Sequence, residues 1–229
     1  MERNWTKTLK TGLLLLGAFL LWTVCVQTVD VRPVGQLDTR VGFAALNTWF
    51  HQRTGVHMAV YTLTDWLGLV PMAVCAAFGC LGLWQLIRRK SLFKVDPDIL
   101  LLGIYYIAVI ACYVFFEMIP INYRPVLIEG RLETSYPSST TLLVLSVMPT
   151  LAFQANRRVK NPALRSVLTW FAALFALFMV AGRTLAGVHW LTDIVGAVLF
   201  SAGAYLVYQS AVLWADFTFS RRKPPFPNR

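Results

Sequence analysis

At 229 residues the chain is long enough for one or two soluble domains, but 57% of it is hydrophobic, only 14% is charged, and the apolar residues come in long blocks. A soluble helical bundle is excluded, because its helices would carry polar faces at a helical period. The net charge of +10 invites a nucleic-acid partner, yet the charge is distributed as a membrane topology signal instead.

Six blocks have roughly the length a hydrocarbon core requires. They are Thr11 to Val29, Met58 to Leu86, Ile99 to Phe116, Thr141 to Ala155, Val167 to Ala181 and Leu191 to Trp214, the fourth and fifth being short. Arg3, Lys7 and Lys10 precede the first block, and Arg88, Arg89, Lys90 and Lys94 follow the second. Arg157, Arg158, Lys160 and Arg165 follow the fourth, and Arg221, Arg222, Lys223 and Arg229 follow the sixth. Fifteen of the 21 basic residues thus lie on alternate connections, which predicts that both termini are cytoplasmic. The remaining six, Arg32, Arg40, Arg53, Arg124, Arg131 and Arg183, fall on the opposite side.

The first block has the look of a signal peptide, but it lacks a clear small-residue cleavage site and runs on through Trp22 and Val26, so a retained anchor is expected. A polar stretch with Pro33 and Gly35 follows, then Val41 to Phe50, where Phe43, Leu46, Trp49 and Phe50 predict a short amphipathic helix in the outer interface. His51 and His57 flank it as interface polar residues; Asp65 in the second block either lines a cavity or sits at headgroup depth, the second being the expectation. Cys25, Cys75, Cys80 and Cys112 have no metal-ligand spacing and read as small hydrophobic fillers. Asp96 and Pro97 make a plausible cap and first turn for the third span.

Between the third and fourth blocks stand Glu117, Tyr123, Arg124 and Pro125, and then Pro137, Ser138, Ser139 and Thr140 at the start of the fourth span. Unsatisfied N–H groups at a helix start favour an anion, although a plain serine cap explains the same residues. The stretch Gly182 to Asp193, G-R-T-L-A-G-V-H-W-L-T-D, then places an arginine, a histidine and an aspartate between two spans. Ionisable groups there are functional candidates. On a helix His189 and Asp193 would share a face, so the carboxylate would orient the imidazole. A capped helix start with a chance His and Asp is the alternative.

Topology brings the three pieces to one face, the outer one. Arg124 and Arg183 are suited to grip a phosphate through paired hydrogen bonds, with Ser138 and Ser139 assisting. Neutral His189 would attack phosphorus, and water would then release phosphate from the phosphohistidine. No metal or other cofactor is implied.

These motifs resemble the type 2 phosphatidic-acid phosphatases, integral-membrane lipid phosphatases. That family's third motif, Ser-Arg, five residues, His, three residues, Asp, is matched at Arg183, His189 and Asp193, with Gly182 for the serine. Its first, Lys, six residues, Arg-Pro, is matched at Arg124 and Pro125, with Glu117 for the lysine. Its second, Pro-Ser-Gly-His, reads Pro137-Ser138-Ser139-Thr140. The resemblance implies His189 and Asp193 as catalytic residues, and Arg124, Arg183, Ser138, Ser139, Thr140, Tyr123 and Glu117 around the substrate. In the family the second-motif histidine protonates the leaving alcohol, work a threonine hydroxyl does badly near neutral pH. The expected substrate is therefore a lipid diphosphate, polyprenyl diphosphate-like, whose leaving phosphate hardly needs the proton. Glu117 is expected to pair with Arg124 or Arg183, or else to serve as the acid. The rival reading is a family member that has lost catalysis and binds, senses or transports a phosphorylated lipid.

The sequence thus predicts an all-α polytopic membrane protein: a bundle of six transmembrane helices with the interfacial helix after the first. A single phosphatase-like domain is expected over 1-220 and a basic cytoplasmic tail over 221-229. The predicted setting is a bacterial plasma membrane with the site on the extracytoplasmic side. Expected partners are a phosphorylated lipid and the bilayer, not nucleic acid, with a homodimer left open.

Overall fold

The computed structural model describes residues 2–222, with side chains over 5–218; most of the expected tail, 221-229, lies outside them. The order is α1 (Glu2–Thr28), α2 (Ala44–Thr54), α3 (Met58–Leu67), α4 (Leu69–Arg89), α5 (Pro97–Met118), α6 (Ser139–Arg158), α7 (Pro162–Leu185) and α8 (Leu191–Arg222). Among the described residues there are only isolated β-bridges and no extended strand. The chain is an all-α integral membrane protein: five stretches, Trp5–Thr28, Met58–Arg89, Pro97–Met118, Pro162–Leu185 and Leu191–Thr218, are long and apolar enough to cross a bilayer.

The sixth expected span, α6, is not among those five. It is shielded from lipid by α7 and α8, so it tolerates Thr140, Thr141, Ser146, Thr150 and Gln154 buried inside the bundle. Three of those side chains find partners in neighbouring helices: Ser146 donates to the Ser201 hydroxyl at 3.2 Å, Tyr106 and Thr150 share a bond at 2.7 Å, and Gln154 donates to the Tyr208 hydroxyl at 2.8 Å. The low hydropathy of α6 is a consequence of its central place.

The second block is a helix broken at Gly68 into α3 and α4. α1 lies along α8, where Gly12 and Gly203 face each other closely enough that a Cβ on either meets the other's carbonyl oxygen at 3.0 Å. The helix expected after the first span forms at Ala44–Thr54, but its apolar residues do not gather on one face, which corrects the amphipathic expectation. It packs inward through Ala44 and Asn47, while Leu46 and Trp49 point outward. Asn47 is a polar strut: its amide donates to Gly42 O at 2.8 Å and to Thr192 Oγ1 at 3.0 Å, tying α2 to the start of α8.

Charged residues staple the end of the bundle remote from this strut. Arg158 reaches both oxygens of buried Asp98 at 2.8 Å and Asp96 at 3.0 Å, Arg89 reaches Asp96 at 2.7 Å, and Arg157 holds Asp216 at 2.7 and 3.0 Å. α4, α5, α6 and α8 are joined by this network.

Candidate active site

The connection between α5 and α6 folds back on itself. Arg124 N donates to Glu133 O at 3.0 Å, and Ser135 N donates to Asn122 O at 3.0 Å. Its tip pairs Ile128 with Arg131 around Glu129 and Gly130, both at positive φ (49° and 76°), as a tight hairpin turn needs. This pairing sets Arg124 opposite Glu133 and Asn122 opposite Ser135, and it carries all four over the start of α8.

His189 sits in the turn between α7 and α8, two residues before the helix, and is 4% exposed. Its Nδ1 is 3.1 Å from the Ser135 carbonyl oxygen, and its Nε2 is 3.4 Å from Arg124 Nη1. A carbonyl only accepts, so the network assigns the proton to Nδ1 and leaves a lone pair on Nε2 facing Arg124. Burial lowers the pKa of this histidine to about 4; the charges of Arg124 and Arg183 push the same way, and Asp193 pulls against them. The ring is therefore neutral at pH 7.

Asp193 does not take the hydrogen bond that a shared helix face suggested. Its Oδ2 lies 3.8 Å from His189 Nδ1, an ion-pair distance rather than a bond. It accepts from Trp190 N at 2.9 Å, while its own N–H donates to Trp190 O at 3.1 Å, a reciprocal cap on α8. Asn122 donates to Oδ1 at 3.0 Å. The capping alternative and the proximity to the imidazole thus hold together.

Arg183, 1% exposed near the end of α7, makes long contacts only: Thr64 Oγ1 at 3.3 Å, Tyr61 O at 3.4 Å and Asp65 Oδ1 at 3.8 Å. The Tyr61 ring lies between the two arginines, 4.8 Å from the Arg183 guanidinium carbon and 5.9 Å from that of Arg124. Arg124 is 7% exposed, and its Nε lies 3.0 Å from Glu133 Oε2 at an angle that makes an ion pair but no hydrogen bond. Six buried side-chain nitrogens and oxygens among the described residues lack a hydrogen-bond partner, and four of them, on Asn122, Arg124, Ser135 and Arg183, belong to this cluster. Such atoms are uncommon in folded proteins, and here they are concentrated where a ligand would use them.

A small cleft of about 10 Å³, the room of one water, is lined by His189, Ser139, Ser135, Thr134, Glu117 and Tyr113 among others. Of the three hydroxyl residues expected around the substrate, only Ser139 lines it. Ser138 is fully buried with its hydroxyl donating to Thr141 at 3.0 Å, and its N–H donates to Asp193 O at 3.2 Å, locking the starts of α6 and α8 together. Thr140 is buried away from the cleft. Tyr123 contributes its carbonyl, which accepts from Trp190 Nε1 at 2.8 Å. Glu117 is exposed and accepts from Thr134 at 2.7 Å; the carboxylates on the arginines are Glu133 and Asp65, which corrects the expected pairing.

Gly182, where the family motif has a serine, packs so closely that a Cβ would meet Thr64 Cγ2 at 2.7 Å. At Gly187, φ is +69° and a Cβ would stand 1.9 Å from Gly55 O, so the turn presenting His189 needs glycine there. Sequence reasoning missed Asn122, Ser135 and Glu133, which only the hairpin brings into place, and Tyr61. It set aside Asp65, although Tyr61 and Asp65 share one face of α3 by their spacing.

The fold and this cluster define the class: an integral-membrane helical bundle with a buried histidine beside Arg124, and a second buried arginine, Arg183, nearby at the same end. The chain belongs to the PAP2 superfamily, whose model matches residues 69–216. The crystal structure of a transmembrane PAP2-type phosphatidylglycerolphosphate phosphatase from Bacillus subtilis matches with a TM-score of 0.54, covering 93% of this chain and 98% of that one at 18% identity. At that identity the likeness carries the fold. No curated protein matches the chain. Membership makes it, at the level of class, a phosphatase set in a membrane.

Proposed function

We propose that the chain transfers the terminal phosphoryl group of a lipid diphosphate of the polyprenyl kind to water or a second lipid, through a phosphohistidine at His189. The supporting observation is the state of Arg183: it is 1% exposed, its Nε has no hydrogen-bond partner, and its other polar contacts are all 3.3 Å or longer. A buried charge so poorly satisfied costs on the order of several kcal/mol, and an anion with matching fork geometry offsets that cost.

Arg124 and Arg183 hold the terminal phosphate, with Ser139 at the α6 start assisting. The Nε2 lone pair of His189 attacks phosphorus as the bridging P–O bond breaks, and the electron pair leaves on the lipid monophosphate. The phosphorylated ring is cationic; Nδ1–H to the Ser135 carbonyl and the nearby Asp193 carboxylate stabilise it. Water then attacks phosphorus, the P–N pair returns to Nε2, and the water proton leaves on inorganic phosphate. General-acid help is typically worth about 10²–10⁴-fold. Thr140 supplies none, and a diphosphate is the substrate that loses least by its absence.

The same reading takes 1-220 as one domain with a cytoplasmic tail over 221-229, both termini cytoplasmic and the site on the extracytoplasmic side of a bacterial plasma membrane. It expects no cofactor, and it leaves a homodimer as a question for sizing experiments.

The rival reading is a binder of phosphorylated lipids. It is favoured by the cleft, whose described lining includes one histidine, His189, and so no second imidazole to serve as the acid. Phosphate release by purified protein from undecaprenyl diphosphate and from phosphatidic acid, with His189→Ala alongside, separates the two. Preference for the monoester overturns the diphosphate assignment, and binding without release from any lipid supports the binder.

A further inference from the structure

We propose that the groove between α4 and α5, at the end of the bundle away from His189, binds an anionic phospholipid of the leaflet opposite the catalytic face. The cavity between the two helices measures about 340 Å³. Its walls are apolar, including Phe78, Leu83, Leu86, Ile99, Ile104 and Ile107. Its floor is glycine: a Cβ built on Gly79 or Gly103 meets nothing within 4 Å. The polar groups on the wall are already engaged: the Tyr106 hydroxyl is bonded to Thr150 at 2.7 Å, and the Cys75 thiol is hydrogen-bonded to Tyr106. Nothing there offers a polar partner, so the occupant of the groove is a hydrocarbon chain.

The turn that closes the groove supplies the other half of a lipid site. Leu92 and Val95 line the groove, and Lys90 and Lys94 stand exposed in the same turn. Neither lysine makes an ion pair among the described residues, whereas neighbouring Arg89 is taken by Asp96 at 2.7 Å. Phe93, 96% exposed between them, is suited to headgroup depth, with its ring toward the acyl region. A chain-shaped apolar slot under two free ammonium groups matches a lipid with a negative headgroup. A second copy of the chain fits poorly: in a two-fold contact the same basic turn would face itself, like charge against like.

The test is native mass spectrometry of the purified full-length protein in detergent, titrated with dioleoylphosphatidylglycerol or dioleoylphosphatidylcholine. The anionic lipid is expected to bind on the order of tenfold more tightly. Lys90→Gln with Lys94→Gln should bring it to the level of the zwitterionic lipid. Gly103→Leu and Gly79→Leu, which fill open space, should cut occupancy by both lipids, with thermal unfolding showing that the fold survives. Equal affinity of the two lipids for the unaltered protein overturns the proposal. So does undiminished binding to folded glycine variants, and so does a dimer that those variants dissociate.

Discussion

Arg124 Nη1 and His189 Nε2 face each other at 3.4 Å, the guanidinium aimed at the lone pair of the imidazole. The distance is too long for a strong hydrogen bond, and the contact puts a buried positive charge beside the proposed nucleophile. Arg124→Ala should reduce phosphate release about 10²–10³-fold, the typical loss when one preorganised donor is removed. Arg124→Lys should recover only part, because a point charge does not reproduce the planar fork. Steady-state kinetics on the best lipid substrate measure both; full activity in Arg124→Lys would remove the bidentate grip from the account.

The depressed pKa of His189 gives two pH dependences. The ring should stay deprotonated, and so nucleophilic, down to about pH 4 instead of its ordinary 6.5, and the acid limb of kcat/KM should shift accordingly. For stability, the unfolded chain holds a proton on this ring between 6.5 and about 4 while the folded chain does not, so acidification in that window favours unfolding. The contribution is fully present above 6.5 and is lost as pH falls toward 4. Unfolding temperatures in detergent across this range should decline less steeply in His189→Gln.

Gly187→Ala is expected to displace the turn that carries His189, since the new Cβ would stand 1.9 Å from Gly55 O at a φ of +69°. The strain of a left-handed backbone is on the order of 1–3 kcal/mol, and relief requires moving the turn. Activity should therefore fall together with the unfolding temperature. An active, stable Gly187→Ala would show that the turn has room to adjust.

At the opposite end, Arg158→Ala leaves Asp98 with Arg157 alone, at 3.3 Å. Loss of one partner from a fully buried pair costs roughly 3–5 kcal/mol; the Arg158 side chain is 28% exposed, so about 2 kcal/mol is expected. The unfolding temperature should drop while kcat at low temperature stays near that of the unaltered protein, since no residue of the site touches this network.

The sequence by itself determined the membrane class and the placement of most spans, because hydropathy blocks and alternating basic loops are local patterns. Arg124, Arg183 and His189 were legible for the same reason: charge at a membrane end is costly and stands out. Tertiary structure decided what each residue does. The hairpin over 119–138 handed the imidazole to the Ser135 carbonyl and gave Arg124 to Glu133 instead of Glu117, and the start of α8 turned Asp193 into a cap held by Asn122. α6 kept a polar composition because its neighbours, not its own sequence, shield it from lipid. Spacing along a chain sets which groups are near in sequence; only the closing of a loop over a helix end fixes which lone pair meets which proton.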